Sequence, residues 1–243
     1  MGKNKSKKTD ITLVIMAGGK GNRMGPIIKD CPKPLIPLGG KSAVEKIIHR
    51  FKTNGIKKFY LILKYKSRLI ESYFNNLEKD YDIEFIKEKR YLGTAGGLKL
   101  LEKKVNDVFA VSNCDTIIKI NLANAISAHK KLNAWLTIIS TNQNIEMQYG
   151  IIKLNKERVL NILEKPLYTF VINTGVYILN KKCLQFIPRD SKFSMTDLIA
   201  SLIKNNRKVI AYPVSAKDYI DIGTWEKYKL AMNKLGCVGK NKK

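Results

Sequence analysis

Apolar residues along this chain fall into two kinds of run. Short continuous blocks, Ile11–Met16, Phe59–Leu63, Ile83–Ile86 and Val108–Ser112, have the length and β-branched content of strands buried on both faces. Between them, apolar positions recur every three or four residues. Val44, Ile47, Ile48 and Phe51 share one helical face, opened by the capping box Ser42-Ala43-Val44-Glu45 and stopped at Gly55. Ser67–Leu77 predicts a second helix with Leu69, Ile70, Tyr73, Phe74 and Leu77 inward, and a third is expected to start near Thr94. The order β-α-β-α-β-α-β predicts a Rossmann-like α/β fold, a mostly parallel central sheet with helices on both faces. In the second half, Ala134–Ser140, Ile151–Leu154, Val159–Leu163 and Val171–Leu179 read as strands with little helix between them, which predicts antiparallel additions. Helices are expected again at Thr196–Lys204 and Thr224–Lys234.

Ligands of such sheets bind beyond the carboxyl ends of the strands. Two stretches fall there: the loop after Met16, and Asn113-Cys114-Asp115. The loop reads VIMAGGKGNRM from Val14 to Met24, and it matches neither familiar phosphate pattern. A P-loop ending at Gly40-Lys41-Ser42 would need glycine where Leu35 stands, and a dinucleotide fingerprint begun at Gly19-Lys20-Gly21 would need glycine at Met24. What remains is physical. A glycine-rich turn lets backbone N–H groups converge on an anion, and Arg23 adds a planar donor fork suited to phosphate. Pro32-Lys33-Pro34 sets a lysine between two φ-locked residues, which predicts an extended backbone that aims the ammonium. On these residues alone, a plain glycine turn with a solvated Arg and Lys stays open.

Composition narrows the function classes. The 243 residues suit one domain, expected at 10–234 between basic tails at 1–9 and 235–243. No apolar run approaches the roughly 18 residues of a membrane span, and MGKNKSKKTD lacks the apolar stretch of a signal peptide, so a cytoplasmic protein is expected. Cys31, Cys114, Cys183 and Cys237 form no CxxC pair, and His49 and His129 give no zinc spacing. The net charge is +25, and removing the seven tail lysines leaves the body strongly basic. Only seven of the 45 basic residues are arginine, so the excess reads as a lysine-rich solvated surface, with no nucleic-acid groove expected.

The motifs then recur as an ordered set. MAGGKGNRM is followed by PKPLIPLGGKS, LGTAGG at Leu92–Gly97, NCD at Asn113–Asp115, YG at Tyr149-Gly150, EKP at Glu164–Pro166, NTGVY at Asn173–Tyr177 and DIGTW at Asp221–Trp225. Across roughly residues 11–232 the chain resembles the sugar-phosphate nucleotidyltransferases, and within them the mannose-1-phosphate and heptose-1-phosphate guanylyltransferases. It departs from the usual pattern at Asn22, Gly25 and Cys114, where Thr, Arg and Gly are common.

The resemblance implies attack of a sugar 1-phosphate oxygen on the α-phosphorus of a nucleoside triphosphate, giving a nucleotide sugar and pyrophosphate. It implies that Ala17, Gly18, Gly19, Gly21 and Arg23 hold the triphosphate, with Gly93, Thr94 and Asn113 completing the nucleotide site. Lys33 would stabilise charge on the α-phosphate. Asp115 and Asp221 would hold Mg²⁺, a hard cation that takes one or two carboxylates plus phosphate oxygens and water; read alone, each is also a cap or turn residue. The antiparallel part would form the sugar site, with Lys165 at the sugar phosphate, Glu164 at a hydroxyl, and Gly150, Asn173 and Thr174 around it. Cys114 and the histidines are expected to be structural.

Glu88 stands where the family's base-facing residue falls. A carboxylate there can accept from both guanine N1–H and the exocyclic amine, whereas uracil and thymine offer one donor and two repelling carbonyls. GTP is therefore the expected donor, unless Glu88 belongs to the solvated run Lys87-Glu88-Lys89-Arg90. Uridylyl, cytidylyl and thymidylyl transfer, and a non-catalytic nucleotide-sugar sensor, are the alternatives.

Overall fold

Leu13 and Ile15 point to one side of the first strand, Val14 and Met16 to the other, and both pairs are buried. A strand covered on both faces needs no polar alternation, which is why the first half reads as solid apolar blocks. The computed structural model describes residues 11–28 and 31–235. The basic tails expected at 1–9 and 235–243 lie outside these, apart from Leu235.

In chain order the elements are β1 (Leu13–Met16), β2 (Pro37–Leu38), β3 (Lys41–Ser42), α1 (Ala43–Lys52), β4 (Lys58–Leu63), α2 (Ser67–Asn75), β5 (Asp82–Lys87), β6 (Val108–Asn113), β7 (Thr116–Ile118) and α3 (Leu122–Lys131). There follow β8 (Leu136–Glu146), β9 (Ile151–Asn155), β10 (Arg158–Leu163), β11 (Leu167–Asn180), α4 (Met195–Lys204), β12 (Val209–Val214), β13 (Tyr219–Asp221) and α5 (Trp225–Lys234). The central sheet has seven strands in the order β12-β8-β11-β6-β1-β4-β5. Only β11 runs against its neighbours β6 and β8; every other pairing is parallel. The expected Rossmann-like architecture is therefore present, with antiparallel additions in β11 and the β9–β10 hairpin.

The two faces carry separate cores. One joins Leu13, Ile15, Leu61 and Ala110 to α1, α2, α3 and α5; the other joins Val14, Ile62, Phe109 and Val111 to α4 and the 3₁₀ segments Gly96–Leu101 and Lys181–Phe186. The capping box forms as its sequence demands, with Ser42 Oγ accepting from the Glu45 N–H and Glu45 accepting from the Ser42 N–H.

Four local expectations need correction. Leu69 is 46% exposed, because the buried face of α2 follows Ile70 and Phe74 with Tyr73 and Leu77 at its margin, one position off Leu69. The segment after Thr94 is 3₁₀ rather than α. Its glycines sit too close to neighbours for a regular helix with side chains, since a β-carbon on Gly96 would lie 2.7 Å from the Ser191 carbonyl. Helix α3, capped by Asn121, and the parallel strand β12 were not anticipated. Finally, Lys33 is not extended: Pro32 is (φ −64°, ψ 143°), and Lys33 opens a 3₁₀ turn closed by the Leu35 N–H on the Pro32 carbonyl at 2.8 Å. Among the described residues no helix is long and apolar enough to cross a membrane.

Candidate active site

Parallel register lines up the strand ends. Met16 of β1 pairs with Ile62 of β4 and Asn113 of β6, and Ile62 pairs with Ile86 of β5. The residues that follow, 17–23, 64–66, 88 and 113–115, are therefore delivered to one edge of the sheet. A cavity of about 660 Å³ opens there, lined by Gly18, Gly19, Gly21, Arg23, Lys33, Lys64, Glu88, Gly93, Thr94, Asn113 and Asp115. Ala17 contributes only scaffold, being buried with its N–H given to the Ile62 carbonyl.

Gly21 is fixed by two separate demands. Its φ of +74° lies in the left-handed region that residues with a β-carbon disfavour, and such a carbon would stand 3.1 Å from Cβ of Lys33. The Lys33 stem thus crosses the loop at Gly21. Its ammonium lies 2.6 Å from Asp115 Oδ2, and both side chains are largely buried. On the other wall, Gly93 adopts φ +84° where a β-carbon would meet the Phe193 carbonyl at 2.5 Å, and Thr94 Oγ1 accepts from the Met195 N–H.

Glu88 is the unusual group of this cavity. It is only 4% exposed, and neither carboxylate oxygen makes a hydrogen bond of accepted geometry with any described residue. Burial pushes its pKa up to about 7, with the Leu92 amide and the Lys64 charge offsetting part of that. Two glycines make room for it: a β-carbon on Gly97 would lie 2.4 Å from Oε1, and one on Gly18 would lie 2.9 Å from Oε2.

A second cavity, about 210 Å³, adjoins the first through Arg23, Asn113 and Asp115 and adds Asn173, Thr174, Tyr219, Asp221 and Lys227. Asp115 and Asp221 meet here because β7 and β13 pair, with Asp221 opposite Thr116 and the Ile222 N–H on the Asp115 carbonyl at 2.9 Å. A β-carbon on Gly223 would stand 2.8 Å from Asp221 Oδ1 and 3.1 Å from Asp115 Oδ2, so the bare glycine leaves open a space that both carboxylates border. Each carboxylate already attracts a cation, Lys33 on Asp115 and Lys227 on Asp221 at 2.5 Å. Asp221 Oδ1 also accepts from the Gly223 N–H, the turn contact its sequence context suggested. Burial and the two carboxylates raise the pKa of Tyr219. No group of three or more acidic, histidine or cysteine side chains with metal-binding geometry occurs among the described residues. A Mg²⁺ ion does not need one, since two carboxylates with phosphate and water complete its shell, and the donor set at Asp115 and Asp221 fits it.

The other expected sugar-site residues separate into two groups. Asn173 lines the second cavity, its amide donating to the Tyr177 hydroxyl at 2.8 Å, while the Thr174 hydroxyl is committed to the Ile139 carbonyl. Gly150, Glu164 and Lys165 lie instead at the base of the β9–β10 hairpin and line neither cavity. Lys165 has φ +40°, and Glu164 Oε2 lies 3.1 Å from where a Gly150 β-carbon would be. Sequence reasoning overlooked Lys64 and Lys66, although they follow β4 by the same strand-end rule that located the others. It also overlooked Tyr219 and Lys227, for which no spacing signal exists. Cys114 and His129 are packed groups: burial carries the thiol up to about 12, and the His129 ring is buried beside Thr137 Oγ1.

The chain is similar to known proteins over most of its length. The D-glycero-alpha-D-manno-heptose 1-phosphate guanylyltransferase of Campylobacter jejuni is 32% identical over 219 residues, covering 88% of this chain and 96% of its own. A UTP–glucose-1-phosphate uridylyltransferase of Synechocystis is 28% identical, covering 86% and 59% respectively. The crystal structure of HddC from Yersinia pseudotuberculosis complexed with GMP-PN superimposes with a TM-score of 0.70 at 29% identity, covering 92% of this chain and 99% of that one. The pattern of the nucleotidyl transferase family matches residues 12–236. The chain belongs to that family, among its sugar-phosphate nucleotidyltransferases.

Proposed function

We propose that the chain transfers a guanylyl group from GTP to a sugar 1-phosphate and releases pyrophosphate. The observation that carries the choice of base is the buried, unpartnered carboxylate of Glu88 on the wall of the larger cavity. An orphaned acceptor pair is costly unless a ligand supplies donors, and guanine offers two side by side on one edge, N1–H and the exocyclic amine. Relatives named as heptose 1-phosphate guanylyltransferases, and a related structure holding GMP-PN, support the same reading.

In the reaction, one oxygen of the sugar phosphate forms a bond to the α-phosphorus while the bond from that phosphorus to the bridging oxygen of the β-phosphate breaks. The electron pair leaves on pyrophosphate, and no side chain becomes covalently attached. Two anions must approach one another, so positioning and charge neutralisation are the protein's tasks. The backbone of Gly18–Gly21 and the Arg23 guanidinium take the β- and γ-phosphates. Lys33 neutralises the α-phosphate, and Gly93, Thr94 and Asn113 close the nucleotide site. Asp115 and Asp221 hold Mg²⁺, which when bound shares the phosphate charge. Asn173 and Thr174, with Lys227 from α5, form the sugar side at the second cavity.

The test is pyrophosphate release measured with GTP, UTP, CTP and dTTP against mannose, heptose, glucosamine and glucose 1-phosphates. GTP is expected to support turnover at least about tenfold better than any other triphosphate with the preferred sugar. Equal use of UTP would remove the assignment of the base, and nucleotide binding without release in any combination would remove the enzyme.

A further inference from the structure

Only two cations, Arg23 and Lys227, occur among the described residues that line the second cavity, and Arg23 also lines the larger one. Lys165, the lysine expected at the sugar phosphate, lies at the hairpin base and lines neither. Lys227 is therefore the cation left for an anion that arrives there. It is engaged in the empty site: its ammonium lies 2.5 Å from Asp221 Oδ2, while Asp221 Oδ1 accepts from the Gly223 N–H. Both oxygens of this carboxylate are thus occupied. The two lysine–aspartate pairs of the site differ in burial. Separating Lys33, 9% exposed, from Asp115 strands a buried charge, whereas Lys227, 49% exposed, can leave Asp221 for water at little cost. Local helix chemistry does not call for a lysine here. Lys227 is the third residue of α5 after the Thr224 cap, the place that Glu45 in α1 and Asp197 in α4 fill with a capping carboxylate. A cation in the first turn also opposes the helix dipole.

We propose that Lys227 is an exchangeable counter-ion: it holds Asp221 while the site is empty and passes to the phosphate of the sugar 1-phosphate when Mg²⁺ takes the carboxylate. The inference rests on the reading of Asp115 and Asp221 as the Mg²⁺ ligands and deepens it. The ammonium cannot keep its place beside a divalent ion on Asp221, because the two cations repel and the ion already neutralises the carboxylate. Displaced, Lys227 remains on the wall it shares with Asn173, where an incoming phosphate offers acceptor oxygens and a negative charge. Metal and sugar phosphate therefore assist each other's binding, and by linkage the assistance is equal in both directions. No bond of the substrate forms or breaks in this exchange. Lys227 acts by position and charge.

Mn²⁺ binding to the nucleotide-free full chain, read by electron paramagnetic resonance of the unbound ion, tests the exchange without turnover. Lys227→Met is expected to bind Mn²⁺ about fivefold more tightly than the wild type, since the ion no longer competes with an ammonium. The Lys227 N–H that bonds Thr224 Oγ1 is untouched by this change, so the helix cap persists; Lys227→Gln, with the same expected effect, serves if the methionine variant does not fold. Lys229→Met removes an equal charge from α5 at a side chain that lies over the Trp225 ring, and should leave Mn²⁺ affinity unaltered. In turnover, Lys227→Met should raise KM about tenfold for the sugar 1-phosphate that the triphosphate-by-sugar panel selects, and leave KM for the triphosphate as it is. Equal Mn²⁺ affinity in the wild type and Lys227→Met, equal tightening in Lys229→Met, or an unaltered sugar KM would overturn the proposal and leave guanylyl transfer standing. Mn²⁺ affinity unaltered in Asp221→Asn would instead remove the metal site itself, and the proposal with it.

Discussion

The Lys33 ammonium and the Asp115 carboxylate are 82 residues apart in sequence and 2.6 Å apart in space, both largely withdrawn from water. One arrives on a 3₁₀ turn after β1, the other directly after β6, and the parallel pairing of those strands brings them together. Removing one partner of such a pair leaves a buried charge uncompensated. Asp115→Ala is expected to cost about 3 kcal/mol of stability, and adding Lys33→Met to it should restore most of that. Urea unfolding of the wild type, both singles and the double variant measures the coupling; additive losses would show that the pair is not held as described. Both single variants should lose turnover by about a hundredfold or more.

The glycine loop yields a contrast between neighbours. Gly21→Ala meets both the left-handed backbone and the Lys33 stem, whereas a β-carbon on Gly19 would touch nothing within 4 Å. Gly21→Ala should destabilise by about 1–2 kcal/mol and lower kcat by displacing Lys33. Gly19→Ala should leave thermal stability unchanged, and its kinetic effect, confined to KM for the triphosphate, reports phosphate approach alone. Indistinguishable unfolding of the two variants would contradict this assignment of strain.

Glu88 makes donor use depend on pH. Its pKa is about 7 because burial disfavours the charged form, yet the guanine donors require the carboxylate ionised. GTP affinity should therefore rise by up to about tenfold per pH unit below 7 and level off above it. Glu88→Gln should flatten that profile and weaken GTP use more than UTP use. The same shift has the opposite sign for stability without ligand: a raised carboxyl pKa gives a contribution that is complete below 4.5 and is lost as pH rises through about 7. Glu88→Gln should thus raise Tm near pH 8 and not near pH 4, read by thermal unfolding at both.

His129 acts in the other direction. Burial, and secondarily the Lys130 charge, lowers its pKa from 6.5 to about 4, so the fold keeps the ring neutral. Its contribution is present above 6.5 and disappears as pH falls toward 4, because the unfolded chain takes up the proton first. His129→Gln, which can keep a hydrogen bond to Thr137, should flatten the loss of stability between those values while leaving turnover unaltered. A wild-type and variant stability profile of equal slope over that window would refute this.

The first half of the fold was legible because each of its signals is local. Buried parallel strands such as Val108–Asn113 need only a continuous apolar block, and α1 carries its own capping box. Helix α3 escaped notice because its stripe of Leu122, Ala125 and Ile126 is short and leans on alanine, a residue that packs well but signals weakly. The 3₁₀ segment at Gly96–Leu101 was misread since its conformation answers to contacts with Ser191 and Glu88, neither of which is nearby in sequence.

By itself the sequence determined the apolar blocks, the glycine loop, the ordered motifs and hence the family, for these depend on residue type and spacing. Tertiary structure alone decided which charges meet: that β7 and β13 pair so Asp115 and Asp221 border one space at Gly223, that Lys227 reaches Asp221, and that Glu88 is sealed from water without a partner. It also left the β9–β10 hairpin standing bare. The reason is physical. Chain periodicity fixes which face a residue takes, but burial, dielectric and ion pairing are set by what other segments bring to that face.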